Sequence, residues 1–203
     1  MAVVSPWYFR LKRVIDLAIC IAILPILAIV LAACAIAIRL DSPGPIVFTQ
    51  LRTGRNGVRF PMYKFRTMVQ NAEELKASLQ HLNILPAPDF KIPNDPRITR
   101  VGGFLRKTSL DELPQILNVF RGDMSLVGPR PTSFHPSTYS LWHLQRAEVA
   151  PGITGLWQIG GRNELTFDER NRLDATYVRT LSIRQDFRIM LLTIGSIVRR
   201  SGH

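Results

Sequence analysis

The longest apolar segment of the 203-residue chain lies near its N-terminus. Residues 14–38 are apolar apart from Asp16, and three aromatic residues and three basic residues precede them. A helix over this range is about 37 Å long, which exceeds the roughly 30 Å hydrocarbon core of a bilayer. Aromatic and basic residues together favour the membrane interface. The pattern therefore predicts a membrane helix.

Two features argue against a simple span. Pro25 lies near the middle of the segment, where it would kink or break a helix. Basic residues flank both ends, which by the positive-inside rule places both ends on the cytoplasmic side: Arg10, Lys12 and Arg13 precede the segment, and Arg39, Arg52 and Arg55 follow it. These features leave two interpretations open, a re-entrant hairpin bent at Pro25 and a kinked span.

Two details at the ends of the segment bear on its role. Cys34 follows Leu-Ala-Ala, as in a lipoprotein signal, but the apolar run continues past it and the preceding arm is long. Asp16 follows Lys12 and Arg13 by one helical turn, which predicts a salt bridge on one face of the helix. We expect this salt bridge to fix how the helix enters the membrane.

The remaining apolar pattern is that of a small globular domain. Residues 41–45 form a rigid Pro-Gly turn, and residues 46–49 and 60–65 read as strands. Helical periodicity predicts helices over 71–85, 133–149 and 187–198, the last with an apolar stripe. The chain is therefore predicted to be α+β. It would have a membrane element over 1–40 and a globular domain over 41–203 that ends in an amphipathic helix.

Charge and cysteine content narrow the class of protein. The chain has 26 Lys and Arg against 15 Asp and Glu, a net charge of +11, which suits anionic partners such as lipid headgroups, nucleotides or nucleic acid. Both cysteines lie inside the apolar segment, so no disulfide scaffold is expected. Four scattered histidines and no CxxC motif argue against a zinc site.

The most informative polar motif is an adjacent acid pair, Asp111 and Glu112. Ser109 and Glu112 have the spacing of a capping box, which makes a structural interpretation available. Pro114 disfavours it, since proline belongs at the first position of a helix. In that arrangement the two acids lie just outside the helix and face a ligand. Together with Arg130, which stands between two prolines, they would suit Mg²⁺-assisted phosphate chemistry.

Two further groups of residues have two interpretations each. Lys64 and Arg66 project from one face of a predicted strand, either as a solvated face or as an anion-binding rim. A glycine-rich stretch surrounds Trp157 and Arg162. It is a turn anchored by a buried tryptophan or a cradle for a base or sugar ring, and spacing alone favours the turn. Cations concentrate just upstream of Asp111: Arg97, Arg100, Arg106 and Lys107.

In their order along nearly the whole chain, these motifs resemble the bacterial sugar transferase family, the monotopic phosphoglycosyl transferases. Each motif is weak alone, and the succession carries the resemblance. The matching stretches are Lys12–Asp16, the apolar segment with Pro25, Ser42–Pro45, Tyr63–Met68, Asn94–Thr99, Ser109–Gln115, Met124–Pro131 and Pro151–Gln158. The stretch from Gly161 to Tyr177 is similar to exopolysaccharide-initiating members that transfer galactose or glucose phosphate.

The resemblance implies a fold and a reaction. It implies a re-entrant helix-break-helix on the cytoplasmic face of the bacterial inner membrane, followed by a small domain with short strands and interfacial helices. Asp111 would be the nucleophile, and Glu112 with Asp111 would hold Mg²⁺. Asp111 would attack the sugar-bearing phosphorus of a UDP-sugar and release UMP. The phosphosugar would then pass to a polyprenyl phosphate, expected to be undecaprenyl phosphate.

The resemblance also assigns roles to the basic residues. Lys64, Arg66, Arg97, Arg130 and Arg162 are expected to bind substrate, with Arg130 on phosphate. The lipid-positioning residues are expected to be Lys12, Arg13, Asp16, Pro25, Ser42 and Pro43. The expected partners are the UDP-sugar, the polyprenyl phosphate and the membrane, with no nucleic acid. A homo-oligomer and downstream glycosyltransferases stay open as partners.

Two departures and two rival functions accompany this prediction. Gly160 stands where many members have serine, and Thr180-Leu181-Ser182 where Asn-Trp-Ser is usual. A membrane-anchored Mg²⁺ phosphohydrolase would use the same carboxylates without a lipid acceptor. A basic membrane-surface adaptor would suit the charge, but it gives no reason for the acid pair near Arg130.

Overall fold

The computed structural model describes residues 6–84, 90–138, 140–160 and 165–200. The fold combines helices with two small sheets, which confirms the predicted mixed class. In chain order the elements are α1 (Pro6–Asp41), β1 (Val47–Thr53), β2 (Arg59–Phe65), α2 (Glu74–Ser78), α3 (Arg100–Thr108), α4 (Ile116–Arg121), β3 (Ser125–Val127), β4 (Gly152–Thr154), α5 (Leu156–Gly160), α6 (Phe167–Arg179) and α7 (Ile183–Arg200).

Helix α1 is long and apolar enough to cross a membrane, by length and composition. Its buried apolar residues recur at helical spacing: Cys20, Leu27, Cys34 and Ile38. Such spacing places them on one narrow seam against the domain. Apolar residues off this seam are exposed, for example Ile26 and Ile29, each 73% exposed. The helix continues through Pro25, so the re-entrant break at that residue stays a prediction.

The seam joins α1 to the globular domain along its whole length. Cys20 and Leu27 share a core cluster with Phe60, Met62, Ile116, Val119 and Met124. Cys34 and Ile38 share a second cluster with Phe65 and Leu105. At the end of α1 the Asp41 carboxylate accepts a hydrogen bond from the Val101 amide at 3.1 Å, in the first turn of α3. A carboxylate there complements the positive end of the α3 dipole.

The salt bridge predicted between Asp16 and the two preceding cations is wrong. Lys12 forms its ion pair with Asp186 of α7 at 2.8 Å, and Arg13 donates to main-chain carbonyls near the end of α4. Asp16 is 4% exposed and accepts from the Ser125 hydroxyl at 2.7 Å. The physical reason is burial: these side chains face the domain, where tertiary partners replace the neighbour one turn away.

The predicted strands are confirmed as an antiparallel hairpin. Its register pairs Val47 with Phe65 and Thr53 with Arg59, so the first strand is longer than its apolar pattern indicated. The outer edge of β2 is covered by Asn118 of α4. The Asn118 side chain accepts from the Tyr63 amide at 3.1 Å and donates to the Pro61 carbonyl at 2.7 Å. These bonds satisfy an edge that would otherwise be open.

The second sheet brings two glycine-containing loops together. Strands β3 and β4 are parallel, with Ser125 opposite Gly152 and Val127 opposite Thr154. A Cβ atom at Gly152 would overlap the main-chain nitrogen of Gly128, and one at Gly155 would overlap the Gly128 carbonyl. The Gly-Pro-Arg-Pro loop therefore lies directly against the Pro-Gly-Ile-Thr-Gly loop, which only residues without side chains permit.

Two of the three predicted helices differ in length or type. The segment 71–85 contains only the short α2 and a 3₁₀ turn at Gln80–Leu82 within its described part. No residue of α2 is buried, so tertiary packing does not extend it. Residues 133–149 form 3₁₀ segments at Pro136–Thr138 and Leu141–Glu148 rather than an α-helix. The predicted tail helix is confirmed as α7.

Candidate active site

The acid pair lies on a tight turn between two helices. Helix α3 ends at Thr108, the next residue Ser109 adopts a left-handed conformation with φ of 60°, and a 3₁₀ segment follows at Leu110–Gln115. No side-chain capping bond forms at Ser109, so the capping-box interpretation is wrong. Pro114 lies within the 3₁₀ segment, just ahead of α4. Asp111 and Glu112 therefore precede the α-helix, as the proline indicated.

Glu112 is held by two cations. Lys64 Nζ lies 2.9 Å from Glu112 Oε1, and Arg130 Nη1 lies 3.0 Å from Oε2, with Arg130 Nη2 also bonded to Oε1. Burial alone would raise the pKa of Glu112, but Arg130 and Lys64 together outweigh it and hold the pKa well below its usual value. Glu112 is consequently an ionised anchor that fixes the two cations.

Asp111 has a different environment from its neighbour. Burial raises the pKa of Asp111, the charge on Glu112 raises it further, and Lys64, Arg106 and Arg130 oppose the rise. Within the part of the chain that the structure describes, no hydrogen bond holds its carboxylate. The Asp111 carboxylate is therefore half-buried, lies near cations and is not fixed by a hydrogen bond within the described residues.

Arg106 is a site residue that the sequence did not single out. It lines the same groove as Asp111, and its Nε donates to the Thr67 hydroxyl at 2.8 Å. Gly102 lets α3 approach the Thr67 carbonyl closely, because a Cβ there would overlap it. The cluster of basic residues upstream of Asp111 was visible in the sequence. The sequence did not show which of these side chains faces the groove.

One groove of about 830 Å³ contains the acid pair and its cations. Its apolar wall includes Ile23 and Leu27 of α1 together with Leu113 and Ile116. Its polar lining includes Lys64, Arg66, Arg106, Asp111, Glu112, Arg130, Gln158 and Arg170, and Trp157 also borders it. The groove therefore extends from the apolar helix α1 to the charged centre.

The other residues predicted to bind substrate differ in where they lie relative to the groove. Arg66 lines the groove, but its guanidinium donates to the Ser42 carbonyl at 2.7 Å and to the Pro43 carbonyl, so it fixes the turn after α1. Arg97 forms a buried ion pair with Asp95 at 2.6 Å, away from the groove lining. Arg162 lies outside the described residues.

The acids fit a metal ion only together with a substrate. In the described part of the chain no three His, Cys, Asp or Glu side chains are grouped to hold a metal. Mg²⁺ binds through one or two carboxylates together with substrate phosphates and water. Asp111 and Glu112 supply such a pair at the groove, so the donor set suits Mg²⁺ that arrives with a diphosphate.

The part of the chain that contains the groove is similar to known proteins. Positions 7–200 match the family described as bacterial sugar transferase. The galactosyl transferase CpsE of Streptococcus agalactiae is 46% identical over 193 residues, covering 94% of this chain and 43% of the relative. The undecaprenyl-phosphate galactose phosphotransferase of Salmonella typhimurium is 44% identical over 197 residues, covering 95% of this chain and 41% of the relative.

A shorter relative matches over most of both chains. The uncharacterized sugar transferase EpsL of Bacillus subtilis is 37% identical over 193 residues, which cover 95% of this chain and 89% of the relative. By contrast, this chain spans about two-fifths of the length of the two longer relatives, at 43% and 41%. The matched region includes every described residue of the groove.

Proposed function

The chain belongs to the bacterial sugar transferase family, and we propose that it transfers a hexose 1-phosphate from a UDP-sugar to a polyprenyl phosphate. The observation that carries the proposal is the pairing of Asp111 with Glu112. Asp111 has no hydrogen-bond partner among the described residues, whereas Glu112 holds Lys64 and Arg130 beside it. This arrangement supplies a carboxylate nucleophile next to fixed positive charge.

The reaction has two balanced steps. In the first, an Asp111 carboxylate oxygen forms a bond to the sugar-bearing phosphorus of the donor. The phosphoanhydride bond breaks, and UMP leaves with the bonding electrons. In the second, a phosphate oxygen of the polyprenyl phosphate attacks the same phosphorus. The bond to Asp111 breaks, which restores the carboxylate and yields a polyprenyl diphosphate sugar. A covalent intermediate splits one difficult transfer into two easier ones.

The cations around Asp111 have a common role in both steps. Arg130 presents a planar fork that matches phosphate oxygens, and Lys64 and Arg106 add positive charge on the groove wall. Fixed cations stabilise the negative charge that spreads over the phosphoryl oxygens during transfer. Mg²⁺ held by Asp111 and Glu112 would neutralise charge on the donor diphosphate.

The contacts of α1 support a topology in which both of its ends lie on the same side of the membrane. Asp16 near its start and Ile38 near its end are both buried against the same globular domain. A helix that crossed the bilayer would separate its two ends by the membrane thickness. We therefore favour a helix that enters and leaves one face, which is the cytoplasmic face of the inner membrane. The apolar groove wall would then bring the lipid acceptor to Asp111.

The decisive experiment measures UMP release. Purified protein is incubated with UDP-galactose or UDP-glucose and Mg²⁺, with and without undecaprenyl phosphate. UMP release that depends on the lipid supports the transferase, and the active donor names the sugar. Release that ignores the lipid favours the phosphohydrolase. If no UDP-sugar gives UMP, both enzymatic functions are rejected and the membrane-surface adaptor becomes the favoured function. The binding of an adaptor to anionic vesicles should disappear at high salt.

A further inference from the structure

The main chain of Arg130 is held from behind by a second arginine. Arg146, in the 3₁₀ segment Leu141–Glu148, donates from Nη2 to the Arg130 carbonyl oxygen at 2.5 Å. The same guanidinium forms an ion pair with Asp174 at 2.6 Å, and its Nη1 donates to the Asn171 side chain at 3.1 Å. Asn171 and Asp174 both lie on α6. Arg146 therefore links α6 to the backbone of the arginine that binds Glu112.

This link is sealed from solvent. Asp174 is 0% exposed, Asn171 1% and Arg146 8%. Desolvating an ion pair costs about as much as its attraction returns, so the pair is a weak source of stability. Its geometry is nevertheless specific, because one planar guanidinium hydrogen-bonds to the Arg130 carbonyl and the Asn171 side chain while it forms an ion pair with Asp174. The direct consequence of this geometry is a fixed position for the Arg130 main chain.

Main-chain hydrogen bonds hold the residues on either side of Arg130: the Gly128 amide donates to the Thr154 carbonyl, the Gly152 amide to the Pro129 carbonyl and the Thr53 amide to the Thr132 carbonyl, each at 2.9 Å. Pro129 and Pro131 have no amide hydrogen, so the loop cannot donate from either residue. A cavity of about 20 Å³ lies behind it, lined among others by Pro129, Pro131 and Arg146. The hydrogen bond from Arg146 fixes the Arg130 carbonyl itself, between these anchored neighbours.

We infer that Arg146, held by Asp174, is a positioning residue that sets where Arg130 stands in the groove. Arg146 borders the small cavity behind the loop rather than the groove, so it acts through Arg130 and not on substrate. The inference rests on the proposed function, because the proposed role of Arg130 on phosphate gives its position a consequence for catalysis.

The first test is Arg146→Lys. Lysine keeps the positive charge beside Asp174, but its ammonium cannot direct a planar fork to Asp174, Asn171 and the Arg130 carbonyl at once. We expect kcat for lipid-dependent UMP release to fall roughly 10- to 100-fold. The matched control is Arg179→Lys, since Arg179 joins α6 to Gln145 of the same 3₁₀ segment at 2.9 Å and does not contact the loop. The control should retain the wild-type rate.

A double-mutant cycle separates positioning from simple structure. In an Arg130→Lys background the guanidinium is absent, so adding Arg146→Lys should cost less than about threefold more in kcat. Asp174→Asn should behave in the same way, as a second variant that perturbs the link from the other side. Losses that multiply independently in the two backgrounds would overturn the inference and leave Arg146 a structural residue.

The outcomes for the two hypotheses differ. Wild-type kcat in Arg146→Lys, in a preparation where wild-type protein shows lipid-dependent UMP release, rejects the positioning role and leaves the proposed function standing. Wild-type protein that releases no UMP with any UDP-sugar rejects both. A loss in Arg146→Lys that disappears in the Arg130→Lys background supports both.

Discussion

Two arginine–carboxylate pairs lie on opposite sides of one loop and differ in nearly every property. Glu112 and Arg130 face the groove, and their side chains are 19% and 26% exposed. Asp174 and Arg146 lie behind the loop, with side chains 0% and 8% exposed. The pKa of Glu112 is held low by two cations after burial is overcome, whereas burial raises the pKa of Asp174 to about 6 against Arg146 and Arg170.

The difference shows how one pairing of residue types serves two purposes. In the groove, Lys64, Arg106 and Arg130 surround the two acids Asp111 and Glu112, so positive charge exceeds negative charge by three to two and an anion is attracted. Behind the loop, one cation meets one acid and no groove reaches them, so the pair fixes geometry. Accessible excess charge, and not the presence of an ion pair, is what marks the reacting centre.

The largest expected effect comes from Asp111→Asn, which leaves both pairs intact. If the groove pair exists to serve a nucleophile, lipid-dependent UMP release should fall at least about 10³-fold. In wild-type protein incubated with UDP-sugar alone, intact-mass spectrometry should show a hexose phosphate adduct that the variant lacks. The control is Asp168→Asn, whose side chain is 60% exposed and bonded to His143. A variant that still turned over near the wild-type rate would remove Asp111 from the mechanism.

The next effect, from Arg130→Lys, tests the groove pair itself. Lysine keeps one charge near Glu112 but loses the bidentate fork, so kcat/KM for the UDP-sugar should fall about 10²-fold. The measurement is initial UMP release over a range of donor concentrations. Arg121→Lys is the matched control, since Arg121 pairs with Asp123 on the surface with its side chain 57% exposed. If kcat/KM fell only slightly, and by the same factor, in Arg130→Lys and Arg121→Lys, the position of Arg130 in the groove would have no special role in catalysis.

Local patterns were enough to predict the elements around this centre. The long apolar run specified α1, and alternation specified the hairpin that carries Lys64. The stereochemistry of Pro114 placed Asp111 and Glu112 ahead of α4, because proline cannot donate within a helix. Each of these signals depends on residues within a few positions of one another, which is why they were readable without the fold.

The tertiary partners could not be predicted in the same way. Asp174 of α6 forms its ion pair with Arg146, which lies 28 residues earlier on another segment. Lys12 likewise passes over Asp16 and reaches Asp186. Long charged side chains have several partners within reach, and burial, which only the fold determines, decides among them.

A smaller effect is expected from Asp174, in the pair behind the loop, on how the unfolding free energy of the protein depends on pH. The folded-state pKa of Asp174 is raised from 3.8 to about 6. Its contribution to stability is therefore fully present below about pH 4 and lost as the pH rises through 6, a change of about 3 kcal/mol. Denaturant unfolding of wild-type protein and Asp174→Asn in detergent should show a difference in unfolding free energy that varies by about this amount between pH 7.5 and pH 4.

Comparing the two proteins removes contributions that they share, including the raised pKa of Asp111. Asp95→Asn is the matched control at another buried pair. The pKa of Asp95 is lowered from 3.8 by its hydrogen bond from Arg97, so its contribution is lost only as the pH falls below about 4 and that control should change little between pH 7.5 and pH 4. A constant difference between wild-type protein and Asp174→Asn over the whole range would mean that Asp174 stays ionised, and the two pairs would then be electrostatically alike.

The smallest effect on catalysis is expected from Arg97→Ala, in a third arginine–carboxylate pair. Arg97 and Asp95 have side chains 5% and 6% exposed, and Arg97 Nη1 also donates to the Ala72 carbonyl at 3.0 Å. Since this guanidinium is fully engaged away from the groove lining, the donor KM should stay within about twofold of wild type. Stability should fall by about 3–5 kcal/mol, because Asp95 is left buried and unpaired.

Replacing Asp95 and Arg97 together by alanine should recover part of that stability, since no buried charge then lacks a partner. Donor kinetics of the double variant, measured well below its unfolding temperature, decide the role of Arg97. A donor KM raised about tenfold in that protein would place Arg97 at the substrate despite its burial. In that case, lining the groove would no longer be a criterion for telling the arginine–carboxylate pairs that bind substrate from those that stabilise the fold.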